Sequence, residues 1–93
     1  MYLEIISPEK TLFKGELESV LFPGTYGDFQ VLNNHAPIVS TLTKGKVKIL
    51  GNISIDKDVK DKFEFNEKET TLDIESGTVE MNKLEHVGTV AQY

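Results

Sequence analysis

Apolar and polar residues alternate one by one along most of this chain. Lys46-Val47-Lys48-Ile49, Ile53-Ser54-Ile55-Asp56, Lys62-Phe63-Glu64-Phe65 and Leu72-Asp73-Ile74-Glu75 each repeat with a period of two, and Thr78-Val79-Glu80-Met81 keeps the rhythm. A strand with one face in a core and the other in water reads this way, because successive side chains point to opposite faces. The N-terminal part is less regular. Leu3 and Ile5 share a face, Ser7-Pro8-Glu9-Lys10 supplies a turn, and Thr11-Leu12-Phe13-Lys14 restarts an extended segment that Gly15 interrupts. Leu17 and Val20 are both apolar but three apart, so the buried face must switch between them. A bulge or corner near Gly15 is expected to do this, bending one long strand from one sheet into another.

Turn signals recur at Pro23-Gly24, Asn33-Asn34, Lys44-Gly45, Gly51-Asn52, Ser76-Gly77 and Asn82-Lys83. Short strands punctuated in this way predict an all-β fold, a two-sheet β-sandwich or flattened barrel of roughly eight to ten short strands. The charged run Asp56-Lys57-Asp58-Val59-Lys60-Asp61 reads as a solvated hairpin tip and Glu67-Lys68-Glu69 as another turn. No apolar stripe at 3.6 spacing predicts a helix. Nothing repeats and no linker is visible, so residues 1–93 read as one domain.

Size and charge narrow the function. A chain of 93 residues buries somewhat over ~60% of its unfolded surface, enough for one modest core. With no Trp, that core is expected to rest on Phe13, Phe22, Phe29, Phe63, Phe65 and the aliphatics. The net charge of −5 argues against nucleic acid as a partner. Lys44, Lys46 and Lys48 read as a solvated strand face. The absence of cysteine excludes disulfides, thiol nucleophiles and cysteine-ligated zinc. No signal peptide is apparent at the start, and no run approaches the ~18 apolar residues that span a bilayer. Membrane contact is expected only through a partner.

The chemistry is thin. His35 and His86 are the two histidines, and neither has metal-ligand spacing around it. Ser40, His35 and Asp28 compose a triad by residue type alone, without a Gly-x-Ser-x-Gly elbow. Glu16 and Glu18 most simply keep a strand face soluble, and Gly24-Thr25-Tyr26-Gly27 lacks the Lys-Ser/Thr ending and following helix of a phosphate loop. No cofactor and no metal is expected.

What remains is a contact loop. Pro23 followed by Gly24 suits a type II turn, and Gly27 offers a second bend. Tyr26 and Asp28 are expected to project outward as a binding surface, unless Tyr26 instead caps the open end of the sandwich. Pro37 forces extended geometry on Ala36 and removes one ladder donor, which places Asn34-His35-Ala36-Pro37 at the start of a strand or a sheet edge.

The ordered series of segments resembles one family. Leu3-Glu4-Ile5-Ile6-Ser7-Pro8-Glu9, Phe13-Lys14-Gly15-Glu16-Leu17-Glu18-Ser19-Val20, the Pro-Gly-x-x-Gly loop at 23 to 27, His35-Ala36-Pro37, Thr43-Lys44-Gly45-Lys46-Val47-Lys48-Ile49 and Glu75-Ser76-Gly77-Thr78-Val79-Glu80-Met81 are similar to the N-terminal β-sandwich of the epsilon subunit of the F-type ATP synthase. Two departures stand out. Asp28-Phe29-Gln30-Val31 and Asn33-Asn34 occupy places where the family often shows Glu-Leu-Gly-Ile and Pro-Gly. The family's C-terminal helical hairpin has no counterpart up to Tyr93, so neither its inhibitory role nor its ATP binding is expected of these residues.

The resemblance implies a central-stalk rotor subunit without catalysis of its own. It would join the gamma subunit to the c ring on the cytoplasmic face of the bacterial inner membrane, as a peripheral part of the complex, and couple proton flow to ATP synthesis. By motif position, Thr25, Tyr26, Gly27 and Asp28 resemble the loop that faces the c ring. Ser7, His35, Ala36, Pro37 and Ser40 resemble the gamma-facing patch. The alternatives are a free-standing β-sandwich module for a peptide or carbohydrate, with Tyr26 as its anchor, and a small hydrolase around His35, which the residues argue against.

Overall fold

The computed structural model describes residues 1–32, 38–81 and 86–92. Ten strands follow one another: β1 (Tyr2–Ile6), β2 (Thr11–Glu16), β3 (Ser19–Gly24), β4 (Gly27–Val31), β5 (Ile38–Leu42), β6 (Gly45–Leu50), β7 (Phe63–Phe65), β8 (Glu69–Ile74), β9 (Ser76–Met81) and β10 (His86–Gln92). They pair in the order β2-β1-β10-β9-β5-β3-β6-β8-β7, with β4 added on β3. The β5–β3 link is the single residue pair Leu42 and Gly24. Two five-stranded layers therefore face each other, β2-β1-β10-β9-β5 and β4-β3-β6-β8-β7. All pairs are antiparallel except β1 with β10. The β-sandwich expected from the alternation is present.

The inward faces of both layers meet in one core. Leu3, Ile5, Leu12, Phe13, Leu42 and Val79 come from one layer, and Val20, Phe22, Val31, Val47, Ile49, Phe63, Leu72 and Ile74 from the other. Phe65 departs from expectation. It stands half-exposed with the Lys60 ammonium 5.6 Å from its ring centroid, because β7 ends there and, among the described residues, is the edge of its layer. Lys46 and Lys48 lie on the outer face, and Lys46 pairs with Asp73 at 2.9 Å. The hydrogen bond from Lys46 to Asp73, reinforced by Asp73's charge, raises the Lys46 ammonium above its ordinary pKa. Such an exposed pair adds little stability.

The switch of face expected at Gly15 happens elsewhere, in two steps. The β1–β2 register shifts between Ile5 and Ile6, so that Leu12 is the extra residue and both Leu12 and Phe13 turn inward. A bulge re-aims side chains in this manner. The crossing between layers comes at Leu17–Glu18. The Leu17 N–H donates to the Met1 carbonyl at 2.9 Å, and the Glu18 N–H donates to the Leu50 carbonyl at 3.0 Å. Consecutive donors thus serve opposite layers, while Gly15 stays paired with Leu3.

The charged run is solvated as expected, with Asp56, Lys57, Asp58, Lys60 and Asp61 exposed, but it is not the tip of a hairpin, since no strand precedes it after β6. Val59 within it is buried. The Asp58 N–H donates to Asp56 Oδ1 at 3.1 Å and the Val59 N–H to the Asp56 carbonyl at 3.1 Å. A single 3-10 turn follows over Lys60–Lys62. One apolar residue is enough to fold the run down onto the end of the core.

Candidate functional site

Pro23 and Gly24, expected as a turn, are instead the last two residues of β3, paired with Asp28 and Gly27. The reason lies in what β3 has to join. It pairs with β6 through Ser19–Leu21 and with β5 only at Gly24. Pro23 lies between these two pairings, where β3 passes from one partner to the other, a place at which a strand tolerates the loss of one ladder donor. Its carbonyl accepts from the Thr43 N–H at 2.8 Å.

The reversal falls on Thr25 and Tyr26, a two-residue hairpin closed by Gly24 and Gly27. Gly27 has φ +123, a conformation close to exclusive to glycine. Gly24 is needed for a different reason. A Cβ there would lie 2.7 Å from the Gly27 carbonyl oxygen and 2.8 Å from the Phe29 ring. Gly24→Ala is expected to cost about 1–3 kcal/mol through this overlap. Urea unfolding checks it, and an unchanged midpoint would contradict the close approach.

The hairpin is fastened at one side. The Thr25 N–H donates to the Thr41 carbonyl at 3.3 Å, and the Thr25 and Thr41 hydroxyls share a hydrogen bond at 3.0 Å. Thr25 therefore ties the tip to β5. Tyr26 is fully exposed at the apex, which removes the reading of it as a cap on the sandwich. Asp28 is exposed on edge strand β4, and among the described residues neither Tyr26 nor Asp28 has a side-chain hydrogen bond or ion pair. The result is a two-residue projection that carries one aromatic ring, with an exposed carboxylate beside it on β4.

The second set of residues behaves differently. Ser7 is buried and its Oγ is used locally, accepting from the Glu9 and Lys10 N–H groups at 3.3 and 3.2 Å and donating to the Lys10 carbonyl at 3.0 Å. Ser40 lies on β5 on the side that Leu42 faces, half-buried, with its Oγ donating to the Thr41 carbonyl at 3.3 Å. Ser7 follows β1 and Ser40 lies on β5, the two strands separated by β10 and β9. Three strand spacings put them roughly 14 Å apart. They share a layer without touching. His35, Ala36 and Pro37 lie outside the described residues.

The pattern missed one residue here. Val39, next to Ser40, points away from the core and is 81% exposed. Its neighbour Ile38 is also apolar, so the alternation that would have marked Val39 as outward is absent from the sequence.

Asp28 and Ser40 sit on strands of different layers, and no group of acidic or histidine side chains able to hold a metal occurs among the described residues. No helix among them is long and apolar enough to cross a membrane.

A family model described as "ATP synthase, Delta/Epsilon chain, beta-sandwich domain" matches residues 1–87. The chain belongs to this family. The ATP synthase epsilon chain of Leptospira borgpetersenii serovar Hardjo-bovis is 48% identical over 59 residues, covering 58% of this chain and 46% of that protein. That of Caulobacter vibrioides is 47% identical over 49 residues, covering 53% of this chain and 57% of that protein. The chain spans about half the length of these epsilon relatives. Two solved assemblies each contain a chain of similar fold. One is the central stalk and c-ring of the Tetrahymena thermophila mitochondrial ATP synthase, with TM-score 0.72 and 14% identity, covering 100% of this chain and 63% of that one. The other is the OSCP/F1/c-ring assembly of the Euglena gracilis mitochondrial ATP synthase, with TM-score 0.73 and 16% identity, covering 98% and 49%. At such identities the likeness is one of fold.

Proposed function

We propose that this β-sandwich is the adaptor of an ATP synthase central stalk, held between the gamma subunit and the c ring and performing no bond chemistry itself. The observation that carries the reading is the Thr25–Tyr26 hairpin. It is stiffened by the Gly24–Gly27 closure and the Thr41 tie, and it presents Tyr26 and Asp28 with no partner within the described residues. A close-packed sandwich has low compressibility and transmits load without yielding, which suits a part that carries torque from a proton-driven ring. Family membership and the central stalk/c-ring setting of a structural neighbour support the same assignment.

In this reading Thr25, Tyr26, Gly27 and Asp28 form the c-ring side, with Thr25 and Gly27 shaping the hairpin and Tyr26 and Asp28 making contact. Asp28 would meet a basic group on the polar loops of the ring. Gamma would lie against the region of Ser7, His35, Ala36, Pro37 and Ser40. The Ser7 hydroxyl shapes the turn, and Val39 adds apolar contact area. The protein would sit on the cytoplasmic face of the bacterial membrane, held there through its complex. Ala36→Glu tests the gamma side: binding to purified gamma, measured by calorimetry, is expected to weaken by at least about tenfold. Unchanged affinity would move that interface elsewhere.

A further inference from the structure

We propose that β2 is a self-pairing edge: a second copy of this chain lays its own β2 alongside, antiparallel, across a two-fold axis at Gly15. β2 is the outermost strand of its layer and pairs only with β1. An edge of this kind leaves a row of backbone groups without ladder partners.

The ladder fixes which groups these are. The Leu17 N–H donates to the Met1 carbonyl at 2.9 Å, and the pairs Gly15–Leu3 and Phe13–Ile5 continue the same register. In an antiparallel ladder, residues that exchange hydrogen bonds alternate with residues that do not. Leu17, Gly15 and Phe13 therefore spend their donors and acceptors on β1. The N–H and carbonyl of Lys14 and Glu16 face the open side. Two copies join these free groups only in a register that sets Lys14 and Glu16 opposite each other or opposite themselves.

The side chains choose among those registers. An axis through Lys14 sets two ammonium groups face to face, and an axis through Glu16 two carboxylates. Like charges directly opposite destabilise a strand pair. An axis through Gly15 places Lys14 opposite Glu16 of the second copy, and Glu16 opposite its Lys14, with no side chain on the axis itself. Both side chains are free for this. Lys14 is exposed and makes no ion pair among the described residues. The Glu16 side chain stays 77% exposed although the Met1 ammonium lies 3.2 Å from its carboxylate. Glu4 of β1 already lies opposite Lys14, so the pairing seats the ammonium between two carboxylates.

The other edges lack this complementarity. Asp28 is the one charged residue on β4 and Glu64 the one on β7, while β5 carries none. None of these strands meets an opposite charge on its own copy. A pairing limited to residues 14–16 is small, so the dimer is weak and forms at high concentration. It rests on β2 alone, without Tyr26 or Asp28, and stands apart from the stalk assignment.

Sedimentation velocity of the whole chain from about 10 μM to about 1 mM, with amide hydrogen exchange at both ends of that range, tests this. The mass is expected to move from monomer toward dimer. The amides of Lys14 and Glu16 should slow, while those of Gly15 and Phe13, already bonded to β1, should not change. Lys14→Glu and Glu16→Lys each set like charges opposite and are expected to weaken association at least about tenfold. An equimolar mixture of the two variants restores opposite charges at both contacts and should associate as the parent does. Circular dichroism checks each fold. Lys14→Glu breaks no ion pair, so its result stands even if Glu16→Lys, beside the Met1 ammonium, fails to fold. A chain monomeric throughout, association indifferent to Lys14→Glu, a mixture of folded variants no better than either alone, or protection confined to β4, β5 or β7 would each overturn the proposal.

Discussion

Phe22→Ala is expected to lower the stability of this domain by about 3–5 kcal/mol, the range for removing a buried aromatic ring and leaving its cavity. Phe22 has no exposed surface. Its ring lies 5.6 Å from that of Phe29, tilted by 36°, and the two residues face each other across the β3–β4 ladder. β3 is also the strand that joins the layers, pairing with β4, β6 and β5. The loss is therefore felt on both sides of the core. Against a total of about 5–15 kcal/mol for a natural domain, it removes a large share. At about 4–8 °C per kcal/mol for a chain of this size, the melting temperature should fall by at least about 12 °C. Phe65→Ala is the internal control, since that ring is 46% exposed. Equal losses from the two substitutions would contradict the placement of the core.

The second large effect is on assembly. Tyr26→Ala combined with Asp28→Lys is expected to weaken association with the c ring by at least about thirtyfold, the scale of losing one aromatic anchor at an interface. Reversing the Asp28 charge adds repulsion toward a basic group on the ring. Neither side chain touches the core, so the thermal unfolding midpoint should stay within a few degrees of the parent. Binding is measured with detergent-solubilised c ring, and folding by circular dichroism. Retained binding would remove the hairpin from the interface. Loss of binding with loss of fold would show that the hairpin supports the sandwich instead.

The sandwich was legible because period-two alternation is a direct consequence of one-sided burial. Val47 and Ile49, or Leu72 and Ile74, declare their face without any knowledge of their partners. What stayed hidden depends on the partner. Pro23-Gly24 has turn chemistry, but a strand that changes neighbours tolerates proline at the changeover, and no local signal reports that. Gly15 was an obvious place for a corner, yet the corner fell at Leu17–Glu18, where consecutive N–H groups reach Met1 and Leu50. Val59 escaped notice because one apolar residue among charges makes no pattern. Ile53–Asp56 shows the reverse failure, a sound strand signal with no ladder to join.

The site was legible in part, for the same reason. Tyr26 and Asp28 project as loop chemistry predicts, and Gly27 takes the positive φ that its position needs. The role of Thr25 as a tie to Thr41 and the exposure of Val39 follow from the packing of β5 against its neighbours, which a single segment of sequence does not contain.

The account stands or falls on where the hairpin apex docks. A photo-reactive amino acid placed at position 26, in complexes purified intact from native membranes, reads this out by the mass of the adduct. The account predicts a covalent product with the c subunit and co-purification of gamma. An adduct with an unrelated protein, or a preparation that carries no ATP synthase subunit, would contradict it.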